Sequence, residues 1–180
     1  MKTTRAKTRT RRLPTLKSVL LYLDGNHGEG GRGYLSYAGL DVPFRLSARL
    51  FSTLAIMVEE VKKPANRERS QRGFVSMPEF MRRLRTRVRL KPDEYPPDEV
   101  KVARYKYRVK NLLARAMQKL VALCRGPKAR PVDAKEKVER WAEEIILSLN
   151  GYKLNIPADN LELFYTDGRP LGLNQPPPLL

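Results

Sequence analysis

Asp98-Glu-Val-Lys-Val-Ala-Arg-Tyr-Lys-Tyr-Arg-Val-Lys-Asn-Leu-Leu-Ala-Arg-Ala-Met-Gln-Lys-Leu-Val-Ala-Leu123 is the stretch around which the rest of the chain is read. Val102, Tyr105, Val109, Leu112, Leu113, Ala116 and Leu120 recur at spacings of three and four, which places them on one face of a helix. Lys101, Arg104, Arg108, Asn111, Arg115 and Lys119 recur in the same way on another face, Lys110 adds a further cation, and no acid occurs between Lys101 and Lys119. The Pro-rich segment Lys91-Pro-Asp-Glu-Tyr-Pro-Pro97 breaks the chain before it, and Asp98 is the residue type that caps a helix start. The spacing predicts a long helix over about 98–123 with two chemically opposite faces.

Towards the N-terminus, Ser76-Met-Pro-Glu79 has the capping-box spacing with a proline in the first turn. A second helix is expected there through Phe80, Met81 and Leu84, followed by six basic residues and no acid between Arg82 and Lys91. Residues 64–73 read as a polar loop. From Ser47, Leu50, Phe51, Leu54, Met57, Val58 and Val61 predict a helix with one apolar face that ends near Lys63-Pro64. Before it, Ser18-Val-Leu-Leu-Tyr-Leu23 reads as a strand, Gly25 to Gly33 as a glycine-rich loop, and Tyr34 to Leu46 as a hairpin turning at Gly39. Towards the C-terminus, Gly126 to Pro131 is a basic turn and Asp133 to Glu144 a short helix with Val138 and Trp141 inward. Glu144-Ile-Ile-Leu-Ser-Leu149, Asn150-Gly151 and Tyr152-Lys-Leu-Asn-Ile156 form the strongest hairpin signature in the chain. The segment from Pro157 to Leu180 reads as an extended Pro-rich tail.

The chain has 180 residues, 41% of them hydrophobic, enough for one domain with its own core. Its net charge of +17 is uneven: residues 1–130 hold 31 Lys/Arg against 11 Asp/Glu, whereas residues 131–180 hold 5 against 8. Such a local positive field favours a polyanion, because cations that neutralise phosphates release condensed counterions. One cysteine, Cys124, and one histidine, His27, exclude an intrachain disulfide and a Cys/His zinc site. No cofactor or metal is expected. No apolar run has the length of a secretory core or a membrane span, so the reading is a cytoplasmic, nucleoid-associated protein with no membrane partner. Nothing argues for catalysis: Gly25 to Gly33 lacks the Gly-Lys-Ser/Thr ending of a phosphate loop, and the adjacent carboxylates Glu59/Glu60 and Glu143/Glu144 point apart on their helices.

The order of elements implies an α+β fold, a winged helix-turn-helix with a small N-terminal antiparallel sheet, three core helices, an inserted helical segment and a C-terminal wing hairpin. Its divisions are a basic flexible arm (1–17), the domain (18–156, with the insertion at 117–144) and a Pro-rich tail (157–180). Four segments in this order resemble the winged helix-turn-helix effector domains of two-component response regulators of the OmpR/PhoB type. Phe44-Arg-Leu-Ser-Ala-Arg-Leu-Phe51 is similar to the family's entry into helix one, and Gly73-Phe-Val-Ser-Met-Pro-Glu79 to its entry into helix two. Arg108-Val-Lys-Asn-Leu-Leu113 is similar to the end of its recognition helix, and Gly151-Tyr-Lys-Leu154 to its wing. The insertion departs from the family. So does the lack of room for a receiver domain before residue 18, so control by phosphorelay is not expected.

This reading makes the chain a sequence-specific double-stranded DNA-binding transcriptional regulator. Helix 98–123 lies in the major groove, and the hairpin of about 144–156 meets backbone or minor groove. Arginine pairs bidentately with guanine and asparagine with adenine, which assigns Arg104, Arg108, Asn111 and Arg115 to bases and Lys101 and Lys119 to phosphates. Lys110 is also read as a DNA contact. Arg82, Arg83 and Arg85, with Arg87 and Arg89, are read as a backbone clamp, and Lys153 as a contact from the wing. Tyr105 and Tyr107 are read as core or flanking residues. RNA polymerase or another protein is a possible partner through the insertion or tail, and the resemblance implies a homodimer on direct repeats. The rival readings are an RNA-binding ribonucleoprotein subunit and a protein-interaction module in a nucleic-acid-associated assembly.

Overall fold

Strand alternation sets the N-terminal sheet. In the computed structural model, which describes residues 12–63, 72–88, 98–125, 132–149 and 151–166, β1 (Leu20–Asn26), β2 (Gly30–Tyr37) and β3 (Leu40–Leu46) form an antiparallel meander. Leu21, Leu23, Leu35, Val42 and Leu46 are buried on its inner face. Tyr22 and Tyr34 face each other on the outer one with ring centroids 5.8 Å apart. The β2–β3 turn has Ala38 and Gly39 both at positive φ (50° and 77°), the two-residue geometry that matches the twist of the paired strands.

The glycine-rich stretch expected as a loop is mostly strand. β1 continues through Gly25 to Asn26 and β2 starts at Gly30, leaving only His27 to Glu29 as the turn. Close packing is the reason: a Cβ on Gly30, whose φ is 96°, would lie 2.2 Å from the Leu46 carbonyl oxygen, and one on Gly31 would lie 2.1 Å from that of Asp24. Glycine is used here for backbone approach.

Helix α1 (Ala48–Lys62) begins directly after β3. Every residue from Phe51 to Val58 is buried, Ser52 and Thr53 included, so the single apolar face expected from the spacing is replaced by burial nearly all round. The cause is its central position: the N-terminal sheet packs on one side, and the elements that follow pack on the others.

Strand β4 (Val75–Ser76) leads into α2 (Met77–Arg87). The capping box does not form. Ser76 makes no side-chain cap bond, its backbone belongs to β4, and Glu79 is engaged by Arg82 and Arg83 instead. Helix α3 (Glu99–Arg125) does start on its expected cap, the Lys101 amide donating to Asp98 Oδ1 at 2.7 Å. Its buried stripe holds Val102, Tyr105, Val109, Leu113, Ala116 and Leu120 as expected, extended by Met117 and Val121, whereas Leu112, also expected there, is only half-buried. Helix α4 (Val132–Glu144) packs on α3, with Trp141 buried and Val138 partly buried.

Strands β5 (Ile146–Ser148) and β6 (Gly151–Leu154) form the expected hairpin. β6 also pairs with β4, giving a three-stranded sheet of order β4-β6-β5 with Ile146, Tyr152 and Leu154 buried. A 3-10 turn (Ala158–Asn160) then leads to β7 (Leu161–Tyr165), which lies parallel to β1 and completes a sheet of order β3-β2-β1-β7. Residues 157–166 therefore belong to the fold, which corrects the tail expected from Pro157. Residues 12–17 likewise leave the expected arm, since Pro14 and Leu16 are buried and Leu13 packs on the core. Residues 1–11 and 167–180 lie outside the described residues. The architecture is α+β, and among the described residues no helix is long and apolar enough to cross a membrane.

Candidate nucleic-acid interface

The two basic segments singled out in the sequence meet different fates. On α2, Arg82 makes two bonds to the Glu79 carboxylate, Nε at 2.7 Å and a terminal nitrogen at 2.8 Å. Arg83 is only 8% exposed; its Nε reaches Glu79 Oε1 at 2.6 Å and its terminal nitrogen reaches the buried Glu60 Oε2 at 2.8 Å. Arg87 donates to Glu59 at 2.7 Å, and the Tyr165 hydroxyl donates to the other oxygen of that carboxylate at 2.5 Å. Hydrogen bonds from Arg82, against the opposing effect of burial and helped by Arg83, hold the Glu79 carboxyl at about 2. Arg83 is thus an internal ion-pair residue and not an outward clamp, and Arg85 is half-buried beside it on the helix. Arg89 lies outside the described residues.

The charged face of α3 is placed differently. Lys101, Arg104, Arg108, Lys110, Arg115 and Lys119 make no ion pair among the described residues. The helix carries no acid after Glu99. Arg104, Arg108, Arg115 and Lys119 are exposed, while Lys101, Lys110 and Asn111 are half-buried. Lys101 to Lys119 covers about 27 Å along the axis at about 1.5 Å per residue. The helix stands on its opposite, fully buried stripe, so this charged face is held rigidly.

Two positions depart from the expected set. Lys153 sits over the Phe74 ring, 5.5 Å from its centroid, on the side of β6 opposite Tyr152, because successive strand residues alternate. Tyr152 points to α2 and α3, where it meets the Phe80 ring at 5.7 Å and the Lys106 amine at 4.8 Å. Lys153 is therefore not brought to the α3 face. Lys106, which the sequence reading passed over, donates to Ser148 Oγ at 3.3 Å and so braces the hairpin against the first turns of α3. Burial first and the neighbouring Lys110 second push its amine below the ordinary lysine range. The signal for it was present: Lys106 falls four after Val102 and three before Val109, at stripe spacing.

The tyrosines divide. Tyr105 is 8% exposed and belongs to the core, whereas Tyr107 is 60% exposed and borders a cleft between β3 and α3. The cleft measures about 530 Å³. Val42, Pro43 and Phe44 of β3 and Leu50 of α1 form one wall; Arg108, Asn111, Arg115 and Lys119 stand on the other. Elsewhere, His27 Nδ1 lies 2.8 Å from the hydroxyl of the buried Ser52, with its ring against Phe51 and Tyr165, which makes it a packed turn residue. Among the described residues no cluster of His, Cys, Asp or Glu has the arrangement of a metal site.

Compared with protein-family models, curated proteins and solved structures, the chain matches none.

Proposed function

We propose that this protein is a double-stranded DNA-binding transcriptional regulator that lays α3 in the major groove. One observation carries the reading: an acid-free helix face about 27 Å long, whose cations have no ion-pair partner among the described residues, backed by a buried stripe. A helix of that kind fits the major groove, where arginine and asparagine read purine edges. The order α1, β4, α2, α3 and the β5–β6 hairpin, with the sheet order β4-β6-β5, supports a winged helix-turn-helix of the OmpR/PhoB type. The bond from Lys106 to Ser148 supports the hairpin's placement beside the reading helix. Arg104, Arg108, Asn111 and Arg115 are the base-reading candidates, and Lys101 and Lys119 the phosphate contacts; Lys110, which neighbours Lys106, lies round the helix from them. Arg82 is a peripheral contact at most, and Arg83 belongs to the core of the fold.

Selection of binding sites from a random duplex library, at near-physiological salt, tests this reading with the whole chain and an Arg104→Ala/Arg108→Ala/Asn111→Ala variant. The expected result is an enriched motif that the variant loses. No enriched motif, with equal affinity for random DNA and RNA, would overturn it in favour of an architectural or ribonucleoprotein role.

A further inference from the structure

The apolar wall of the β3–α3 cleft has no part in reading a duplex. Val42, Pro43, Phe44 and Leu50 are positioned by a strand and a helix of the core, and they face Arg108, Asn111, Arg115 and Lys119 across the gap. Among the described residues, no carboxylate lines the cleft and its three cations have no ion-pair partner. The volume of about 530 Å³ falls within the range of small-molecule sites. From Tyr107 to Lys119 this wall runs about 18 Å at about 1.5 Å per residue.

We propose that this cleft is a binding site for a small amphipathic organic anion, an aromatic or aliphatic body carrying a carboxylate, sulfonate or phosphate. The body lies against Val42, Pro43, Phe44 and Leu50, where it removes apolar surface from water. The anionic head is held by Arg115 and Lys119, with Arg108 and the Asn111 amide completing the donors. Charge complementarity selects an anion over a neutral ligand, because cations with no ion-pair partner among the described residues offer charge-assisted bonds to it. Arg108, Asn111 and Arg115 also belong to the DNA face assigned above, so a bound anion competes with duplex; this last consequence rests on the duplex reading.

The probe is 1-anilinonaphthalene-8-sulfonate, titrated by fluorescence into the full chain without DNA. One saturable site is expected. Arg115→Gln/Lys119→Gln weakens it about tenfold or more, as loss of charge-assisted bonds should, and Arg82→Gln leaves it unchanged. Both altered positions of the double variant are exposed, and an unchanged melting temperature verifies its fold. The neutral analogue N-phenyl-1-naphthylamine is expected to bind at least about tenfold more weakly. Equal binding of the neutral analogue, or unchanged binding to the double variant, overturns the site. So does a chain that ignores the sulfonate but binds a short oligothymidylate in a manner lost in the double variant, which assigns the cleft to an unpaired strand. With duplex present, the probe is expected to displace it; displacement absent at saturating probe overturns the competition alone. Because the probe arm contains no nucleic acid, failure of the duplex reading is seen separately, as no enriched DNA motif.

Discussion

Helices α2 and α3 carry basic runs that look alike in the sequence, and the fold treats them in opposite ways. Around α2, the acids Glu59, Glu60 and Glu79 take up Arg87, Arg83 and Arg82, two of the acids from α1 and one from α2 itself. Around α3, no acid follows Glu99 on the helix, and β3 contributes Val42, Pro43 and Phe44 to the cleft wall. The lesson is that cation density marks an interface only where the folded neighbours leave the cations unneutralised. Arg83 and Arg87 hold α2 to α1, whereas Arg104, Arg108 and Arg115 of α3 have no ion-pair partner among the described residues.

The comparison can be broken most severely at its buried end. Glu60→Ala leaves Arg83 short of its inner carboxylate and should lower the unfolding free energy by about 3 kcal/mol, the cost of breaking a buried pair. Urea denaturation measures this; a loss under about 1 kcal/mol would make the pair an incidental one. At the exposed end, Arg108→Ala should leave the melting temperature unchanged and weaken specific duplex binding by about 1–3 kcal/mol, or roughly five- to 150-fold, by titration at fixed salt. Equal weakening of random duplex would reassign Arg108 from bases to phosphates.

Acid sharpens the comparison further. The folded Glu79 carboxyl titrates at about 2, below its ordinary 4.5, so its contribution to stability is complete above the ordinary value and is lost as pH falls towards 2. Melting temperatures between pH 5 and 2 should therefore fall more steeply for the wild type than for Glu79→Gln, and parallel curves would remove Glu79 from the account. The smallest effect is expected from Arg82→Gln, whose exposed pair with Glu79 should be worth about 0.2–1 kcal/mol of stability and little DNA affinity.

Much of the frame was legible because its signals are local. The Asp98 cap, the α3 stripe, the Trp141 helix and the β5–β6 hairpin each depend on residues within a few positions of one another. Three features were not legible for the opposite reason. Strand β7 is formed by pairing of Leu161–Tyr165 with β1, some 140 residues away, so a short segment after a proline reads as tail. The glycines at 30 and 31 read as loop because only the folded neighbours, the carbonyls of Leu46 and Asp24, reveal why a side chain is excluded. Burial of Arg83 depends on Glu60, 23 residues earlier on a different helix, which no spacing rule links to it. At the candidate interface, the α3 face could be read from periodicity, whereas the separation of Lys153 and the bracing by Lys106 required the β4-β6-β5 sheet.

The most direct test compares the salt dependence of duplex binding for two charge-neutralised chains, Lys101→Gln/Lys119→Gln on α3 and Arg82→Gln/Arg85→Gln on α2. Each phosphate contact contributes about 0.9 to the slope of log affinity against log salt. The α3 variant should lose about 2 from that slope and the α2 variant less than about 1. An equal loss in both, or a larger one from α2, would contradict the claim that the unpaired face of α3 is where this protein meets nucleic acid.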